Sequence, residues 1–248
     1  MLSIIIPCYN ECDRLDMPAF EQFLTGQIGV ALCFVNDGST DDTAKKLHAL
    51  AGQFADKVSV LDLTQNGGKA EAIRAGCLYA LTHLRPDCIA YLDADLSVPL
   101  PELMRIYQVM AEQQLLIIFG ARVALFGYQI QRRSHRHYLG RLFATVASMV
   151  LNTVIYDTQC GAKIFTREVA RKVFEKPFVS RWFFDVEIIA RLNQLYGADI
   201  LVKILREIPL NIWIHKEQSK IKIKDFFLCP YYLFRIKRKY RIKTPSRN

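Results

Sequence analysis

No two of the seven cysteines (Cys8, Cys12, Cys33, Cys77, Cys88, Cys160 and Cys229) stand in C-x-x-C spacing. Cys8 and Cys12 have no second pair downstream, which excludes the usual structural zinc frameworks. The number is odd, and Ser3–Pro7 is too short for the apolar core of a signal peptide, so reduced thiols in a cytosol are expected. The longest run without charge, Leu142–Tyr156, is interrupted by Thr145, Ser148, Asn152 and Thr153. A membrane span needs about 20 apolar residues, so the expectation is a soluble or peripheral protein. Low-complexity tracts and internal repeats are absent, and 51% of the 248 residues are hydrophobic, which excludes a disordered chain.

Acidic residues are missing altogether between Glu112 and Asp157, a stretch rich in Arg and His. The net charge of +9 is also unevenly placed. From Lys203 to Asn248 there are 13 basic and three acidic residues, so a near-neutral body carries a cationic end. Within that end, Phe226, Phe227, Leu228, Tyr231, Tyr232, Leu233, Phe234 and Ile236 are interleaved with Arg235, Lys237, Arg238 and Lys239. Aromatic anchors beside a cationic run suit a segment lying at a membrane surface. Packing of the aromatics onto the body, with a solvated basic end, is the alternative. No linker is visible; the body, 1–220, is expected to form one domain, followed by a basic aromatic membrane-interface segment, 221–248.

Continuous apolar runs at Ser3–Pro7, Ala31–Val35, Val58–Leu63, Cys88–Leu92 and Leu115–Phe119 predict buried strands. Helical patterns fall between them at Asp41–Phe54, Gly68–Leu84 and Pro99–Gln113. The alternation predicts an α/β fold, a mostly parallel sheet with helices on both faces. Later elements read as a helix over Leu142–Tyr156, a strand near Lys163–Phe165, a helix over Asp185–Tyr196 and a strand around Ile200–Leu205.

In such sheets ligands bind at the carboxyl ends of the strands, and the chemistry-bearing residues follow the strands. The first ends in Pro7-Cys8-Tyr9-Asn10-Glu11 and the second in Asn36-Asp37-Gly38-Ser39-Thr40-Asp41. The Ser39–Asp41 cluster also suits the cap of the next helix. After the third comes Asn66-Gly67-Gly68-Lys69, which lacks the spacing of a Walker A loop but offers N–H groups and an ammonium to an anion. A solvated lysine at a helix start is the bland reading. The fourth ends in Asp93-Ala94-Asp95, two carboxylates that repel unless solvated or bridged by a cation such as Mg2+ or Mn2+.

These four motifs, in this order, resemble those of the family 2 glycosyltransferases. The likeness continues through Gly120-Ala121-Arg122, Arg132–Arg136, Asp157-Thr158-Gln159-Cys160-Gly161-Ala162-Lys163, Trp182–Glu187 and Ser219-Lys220. This later set resembles the polyprenyl-phosphate branch, above all the dolichyl-phosphate β-glucosyltransferases, whose motif reads D-T-Q-C-G-F-K. The resemblance implies a glycosyltransferase-A fold and inverting transfer of a sugar from a nucleotide-sugar donor, UDP-glucose foremost, to a polyprenyl phosphate. Another sugar, such as GlcNAc, galactose or mannose, or a non-lipid acceptor is the alternative within the class.

Carried over by position, Pro7, Tyr9, Glu11, Asp37, Lys69 and Asp93 would hold the nucleotide, and Asp93 and Asp95 the metal, Mg2+ or Mn2+. Arg122, Arg132, Arg133 and Arg136 would grip the acceptor phosphate; Asp93, Asp95, Arg122 and Arg136 form the catalytic set. Asp185 and Glu187 divide evenly between contacts to the sugar and simple placement at a helix start. The sequence departs from the family at Asn36, where the usual motif has Asp, at Ser97, where mannosyltransferase relatives have Gln, and at Ala162, where the motif has Phe. The eukaryotic glucosyltransferases carry an N-terminal anchor; this chain starts at its first strand, so peripheral attachment to the cytoplasmic membrane face is expected. The basic charge also raises a nucleic-acid reading. It is disfavoured, because no RNP, helix-turn-helix or zinc-finger pattern occurs and Asp93 and Asp95 would have no purpose. Nothing in the residues sets an oligomeric state.

Overall fold

A computed structural model describes residues 1–123, 143–216 and 228–241 in full, and 129–130 and 134–142 by their backbone. Nine strands can be followed: β1 Leu2–Cys8, β2 Val30–Asp37, β3 Val58–Leu63, β4 Cys88–Tyr91, β5 Ile117–Ala121, β6 Gln129–Ile130, β7 Lys163–Thr166, β8 Leu205–Pro209 and β9 Ile212–Trp213. Seven build one sheet in the order β3-β2-β1-β4-β7-β5-β8, while β6 and β9 pair apart. Every pairing in the main sheet is parallel except those of β7, which runs antiparallel to both β4 and β5.

The continuous apolar runs arise because both faces of the sheet are covered. Ile4 and Ile6 of β1 point into one core, with Phe20 and Leu24 of α1 (Met17–Gly26), Leu47 and Leu50 of α2 (Thr43–Gln53), and Leu103 and Ile106 of α4 (Leu100–Glu112). Ile5 points into the other, with Ile73 of α3 (Lys69–Tyr79), Val173 of α6 (Arg167–Phe174) and Ile188 of α7 (Phe184–Tyr196). One-residue alternation thus serves two apolar layers rather than one core and one wet face. α5 (Ser134–Leu151) lies on the second face, and α3 runs on through a single π turn, Ala80–Leu84.

Three expectations need correction. The stretch read as a strand around Ile200–Leu205 is a helix, α8 (Ala198–Ile204), and the strand begins only at Leu205. Gly197, at φ +75°, ends α7 and leads into α8, and Ile200 and Val202 face solvent instead of a ladder. The helix over Leu142–Tyr156 starts at Ser134 and stops at Leu151. Of Ser39, Thr40 and Asp41, Asp41 alone serves the start of α2, accepting from Thr43 N–H (3.1 Å), while the N-cap, Asp42, makes no side-chain capping bond. α1 and α6 are found in addition to the expected elements.

The basic end contains a last helix, α9 (Cys229–Lys239). Cys229, Leu233 and Ile236 are buried in the second core, and the Tyr232 ring lies 5.9 Å from that of Phe183. Leu228, Tyr231 and Phe234 on its outer side are exposed. Among the described residues, no helix is long and apolar enough to cross a membrane.

Candidate active site

The loops after β1 and β2 are sewn together by side chains. Asn10 N–H donates to Ser39 Oγ (3.0 Å), Thr40 N–H to Asn10 Oδ1 (2.8 Å), Glu11 N–H to Thr43 Oγ1 (2.9 Å) and Cys12 N–H to Asp41 Oδ2 (3.1 Å). The hydroxyls expected at a helix cap therefore fix the Pro7–Glu11 segment. Asn36 fits its place for a related reason. Its Nδ2 donates to Asp62 Oδ1 (2.8 Å), its partner across the β2–β3 register. An aspartate at position 36 would instead face a second carboxylate.

Asp37, buried at the end of β2, accepts from Gly67 N–H (2.7 Å) and Gly68 N–H (2.9 Å), one to each oxygen. Burial pushes its carboxyl above the ordinary range, against the pull of those two N–H groups. This bidentate grip shapes the turn that launches α3. Gly68 has φ +88°, a conformation side chains rarely adopt, and the turn sends Lys69 toward the end of β4. There Lys69 Nζ pairs with Asp93 Oδ1. Burial works against both charges, yet the pair prevails: Lys69 is held above its usual range by Asp93 and Asp185, and Asp93 below its usual range, chiefly by Lys69.

Strand β4 ends at Tyr91, so Asp93 and Asp95 stand in the loop beyond it. Leu96 takes φ +51°, a bend that costs energy in a leucine, while Ser97 N–H donates to Asp95 Oδ1 (2.9 Å). Asp95 Oδ2 lies 3.1 Å from Arg14 Nη2, and Arg14 Nη1 lies 3.1 Å from Glu11 Oε2. Arg14 was not legible as a site residue, because its partner Asp95 is 81 positions away.

The D-T-Q-C-G-A-K motif borders the same site and holds Arg122. Asp157 receives Arg122 in a fork, Nε to Oδ2 at 2.7 Å and Nη2 to Oδ1 at 2.8 Å, and also takes the Arg122 N–H (3.0 Å). That ion pair, opposing the cost of burial, raises the guanidinium pKa further. Glu207 on β8 accepts from Tyr156 N–H (2.7 Å) and Asp157 N–H (2.9 Å), which fixes the loop carrying Asp157; nothing local in the sequence marks it. Lys163 is wholly buried and donates to Thr158 O (2.9 Å), Cys160 O (2.7 Å) and Asp185 Oδ1 (2.6 Å), tying the loop to α7. Tyr91 Oη also donates to Asp185. Gly161 then sits directly against the Asp93 carboxylate.

The candidate residues thus fall into three groups. Glu11, Arg14 and Asp95 are joined by direct contacts, Lys69 and Asp93 by another, and Asp37 holds the turn before Lys69, all in the loops after β1–β4; Pro7 and the exposed Tyr9 flank Glu11 on its loop. Arg122 is held by Asp157 and is close enough for its charge to act on Asp93. Arg132 and Arg133 lie outside the described residues, as do Ser219 and Lys220, and Arg136 is described only by its backbone, in the first turn of α5. Asp185 is engaged with Lys163 and Tyr91, and Glu187 is turned away into the body. Glu187 accepts from Val179 N–H (2.6 Å), Arg191 (3.0 Å), Lys239 (2.9 Å) and Tyr240 Oη (2.7 Å).

For a hard divalent cation the donor set fits in part. Asp93 and Asp95 supply carboxylate oxygens at one strand end, and the missing β-carbon at Gly161 lets its loop pack directly against Asp93. Among the described residues no cluster of three or more His, Cys, Asp or Glu could hold a metal alone. Two protein carboxylates, with remaining positions for phosphate oxygens and water, is the arrangement expected of Mg2+ or Mn2+ bound together with a diphosphate.

Residues 3–174 match the family model described as glycosyl transferase family 2. The chain is similar to the human dolichyl-phosphate β-glucosyltransferase, with 32% identity covering 89% of this chain and 69% of the relative. The Drosophila melanogaster enzyme of that name gives 33% identity over 89% and 69%. The chain thus spans about two thirds of the length of these curated relatives. In fold it is similar to glucosyl-3-phosphoglycerate synthase of Mycobacterium tuberculosis, solved with Mn2+, UDP and glucosyl-3-phosphoglycerate. That likeness has a TM-score of 0.69 at 16% identity and covers 99% of this chain and 81% of the other. With the family model spanning most of the chain and its motifs meeting at one sheet edge, this protein belongs to glycosyl transferase family 2.

Proposed function

We propose that this chain transfers glucose from UDP-glucose to a polyprenyl phosphate of the dolichyl type, with inversion, at a membrane surface. The observation that carries the reading is the convergence of Asp93, Asp95 and Lys69 just beyond β4, with the Arg122–Asp157 fork near enough to act on Asp93. The names of the curated relatives given above, dolichyl-phosphate β-glucosyltransferases, favour that donor–acceptor pair.

A phosphate monoester has a second pKa near 6, so at neutral pH the acceptor is a dianion and needs no general base. Its difficulty is to approach a donor diphosphate of like charge. A divalent cation, Mg2+ or Mn2+, supplies neutralisation of the charge that develops on the leaving diphosphate; Asp93 and Asp95 would hold it. Lys69, oriented by the Asp37-bound turn, adds a fixed positive charge on the donor side. Arg122 and Arg136, with Arg132 and Arg133 nearby in sequence, would receive the acceptor phosphate, for which guanidinium is suited by its paired N–H groups and permanent charge. Pro7, Tyr9 and Glu11 would hold the nucleoside. Asp185, committed to Lys163 and Tyr91, orients the acceptor-side loop rather than moving a proton. Catalysis on this reading is positioning and charge neutralisation.

The outer face of α9, with Leu228, Tyr231, Phe234, Arg235 and Arg238, supports peripheral attachment by the 221–248 segment. The test is a donor screen. Purified protein with Mn2+ or Mg2+ and a short polyprenyl phosphate is incubated with each radiolabelled UDP- or GDP-sugar, then extracted with organic solvent. Label in the lipid phase from UDP-glucose alone is the expected result. Label from another donor would reassign the sugar, and donor hydrolysis without lipid product would discard the lipid acceptor.

A further inference from the structure

Each carboxylate of the Asp93-x-Asp95 pair already has a cation of its own. Lys69 stands on Asp93, and Arg14 stands on Asp95 while also reaching Glu11. Arg14 is well anchored for this. Its N–H and that of Leu15 both donate to Glu11 O (2.9 and 3.0 Å), and buried Leu15 fastens the turn to the core under α1. The guanidinium therefore joins two loops, the first expected to hold the nucleoside and the second to hold a metal. The other oxygen of Asp95 is engaged by Ser97 N–H.

An arriving divalent cation meets this arrangement with an electrostatic penalty. It must share Asp95 with a fixed guanidinium and sit beside Lys69, and like charges at such range repel strongly where water is scarce. A cation that comes with a diphosphate does not meet the same penalty, because the phosphate oxygens give Arg14 and Lys69 new anionic partners. We infer that Arg14 is a positioning residue of the transfer reaction: by bridging Glu11 and Asp95 it aligns the nucleoside and metal subsites and keeps a bare divalent cation off Asp95 until a nucleoside diphosphate accompanies it. The inference rests on the reading of Asp95 as a metal ligand given above.

The experiment titrates full-length protein with Mn2+ and follows free Mn2+ by electron paramagnetic resonance, with and without UDP. Wild type is expected to bind Mn2+ weakly alone and much more tightly with UDP. Arg14→Gln is expected to bind Mn2+ alone about tenfold more tightly, to gain less from UDP, and to show a raised KM for the donor with a smaller change in kcat. Arg14→Lys keeps the charge but spans one carboxylate only, so it should still repel bare Mn2+ while the donor KM rises. An unchanged Mn2+ affinity in Arg14→Gln without UDP would overturn the inference, as would a wild-type donor KM in Arg14→Lys. Asp95→Asn separates the two failures. If it still binds Mn2+ with UDP as wild type does, the metal assignment itself falls, and the role of Arg14 falls with it. If it loses that binding while Arg14→Gln behaves as wild type, only the role of Arg14 is refuted. Melting curves confirm that each variant is folded.

Discussion

Gly161 and Asp93 are in such close contact that a β-carbon at position 161 would lie 2.6 Å from Asp93 Cγ and closer still to Oδ2. The loop before β7 therefore fits the carboxylate beyond β4 by the absence of a side chain. Gly161→Ala should displace Asp93 from Lys69 and lower kcat/KM about 10- to 100-fold. Thermal stability should change little, since the loop is held independently by Lys163 and Glu207. Steady-state kinetics with UDP-glucose, set beside a melting curve, checks both parts.

The fork between Arg122 and Asp157 is largely buried, so removing one member leaves a charge without its partner. Such losses cost about 3–5 kcal/mol. Asp157→Ala should lower the melting temperature and raise the KM for polyprenyl phosphate, because Arg122 is no longer aimed. Glu207→Gln loosens the same loop without touching the guanidinium. It should reduce stability with a smaller effect on the acceptor KM.

Glu187 is fully buried, and its carboxyl is held below the ordinary glutamate range: burial raises the pKa, but the Tyr240 hydroxyl, the Val179 N–H, Lys239 and Arg191 together outweigh it. A depressed carboxylate stabilises the fold above its unfolded pKa, about 4.3, and that contribution disappears as pH falls through the folded value. Glu187→Gln should therefore lower the melting temperature at neutral pH, and the gap from wild type should close progressively in acid. Paired melting curves from about pH 7 down to about pH 3 test the direction. A gap that widens in acid would contradict it.

The two sides of α9 should separate stability from surface binding. Leu233 is buried in the core, so Leu233→Ala should cost about 2–5 kcal/mol. Tyr231→Ser with Phe234→Ser alters exposed positions and should leave the melting temperature nearly unchanged. Sedimentation with anionic vesicles should then show the double variant released and wild type bound. Truncation before Cys229 is predicted to destabilise the protein as well as release it, because Lys239 and Tyr240 are partners of buried Glu187.

The donor half of the fold could be read from the sequence because its signals are local. The runs at Ile4–Ile6 and Leu32–Val35 can only be buried, and the polar motifs follow each strand directly. The second half gave weaker signals. β8 carries Arg206 and Glu207 within five residues at the sheet edge, so its apolar pattern is broken, whereas the β-branched Ile200 and Val202 before it look like a strand and form α8. Among site residues, those in motifs were recoverable. Arg14 and Glu207 were not, since their roles depend on partners 81 and about 50 positions away. The sequence also left Glu187 undecided between the sugar and the helix start; its partners prove to be Val179 and Arg191 nearby and, far along the chain, Lys239 and Tyr240.

Strand β7 enters the sheet beside β5, with Phe119 opposite Lys163, so the roughly forty residues between those strands leave and re-enter at adjacent points of a finished scaffold. Because its ends are adjacent, lengthening this stretch adds a loop-closure cost that grows only slowly, while α5 within it packs into the second core. That stretch contains Arg122, Arg132, Arg133, Arg136, Asp157 and Gly161, every candidate for gripping the acceptor. On the proposed reading, β1 to β4 with their donor loops form one contiguous block and the acceptor candidates another, and chimeras joined after Ala121 and before Lys163 would test whether acceptor choice travels with that second block.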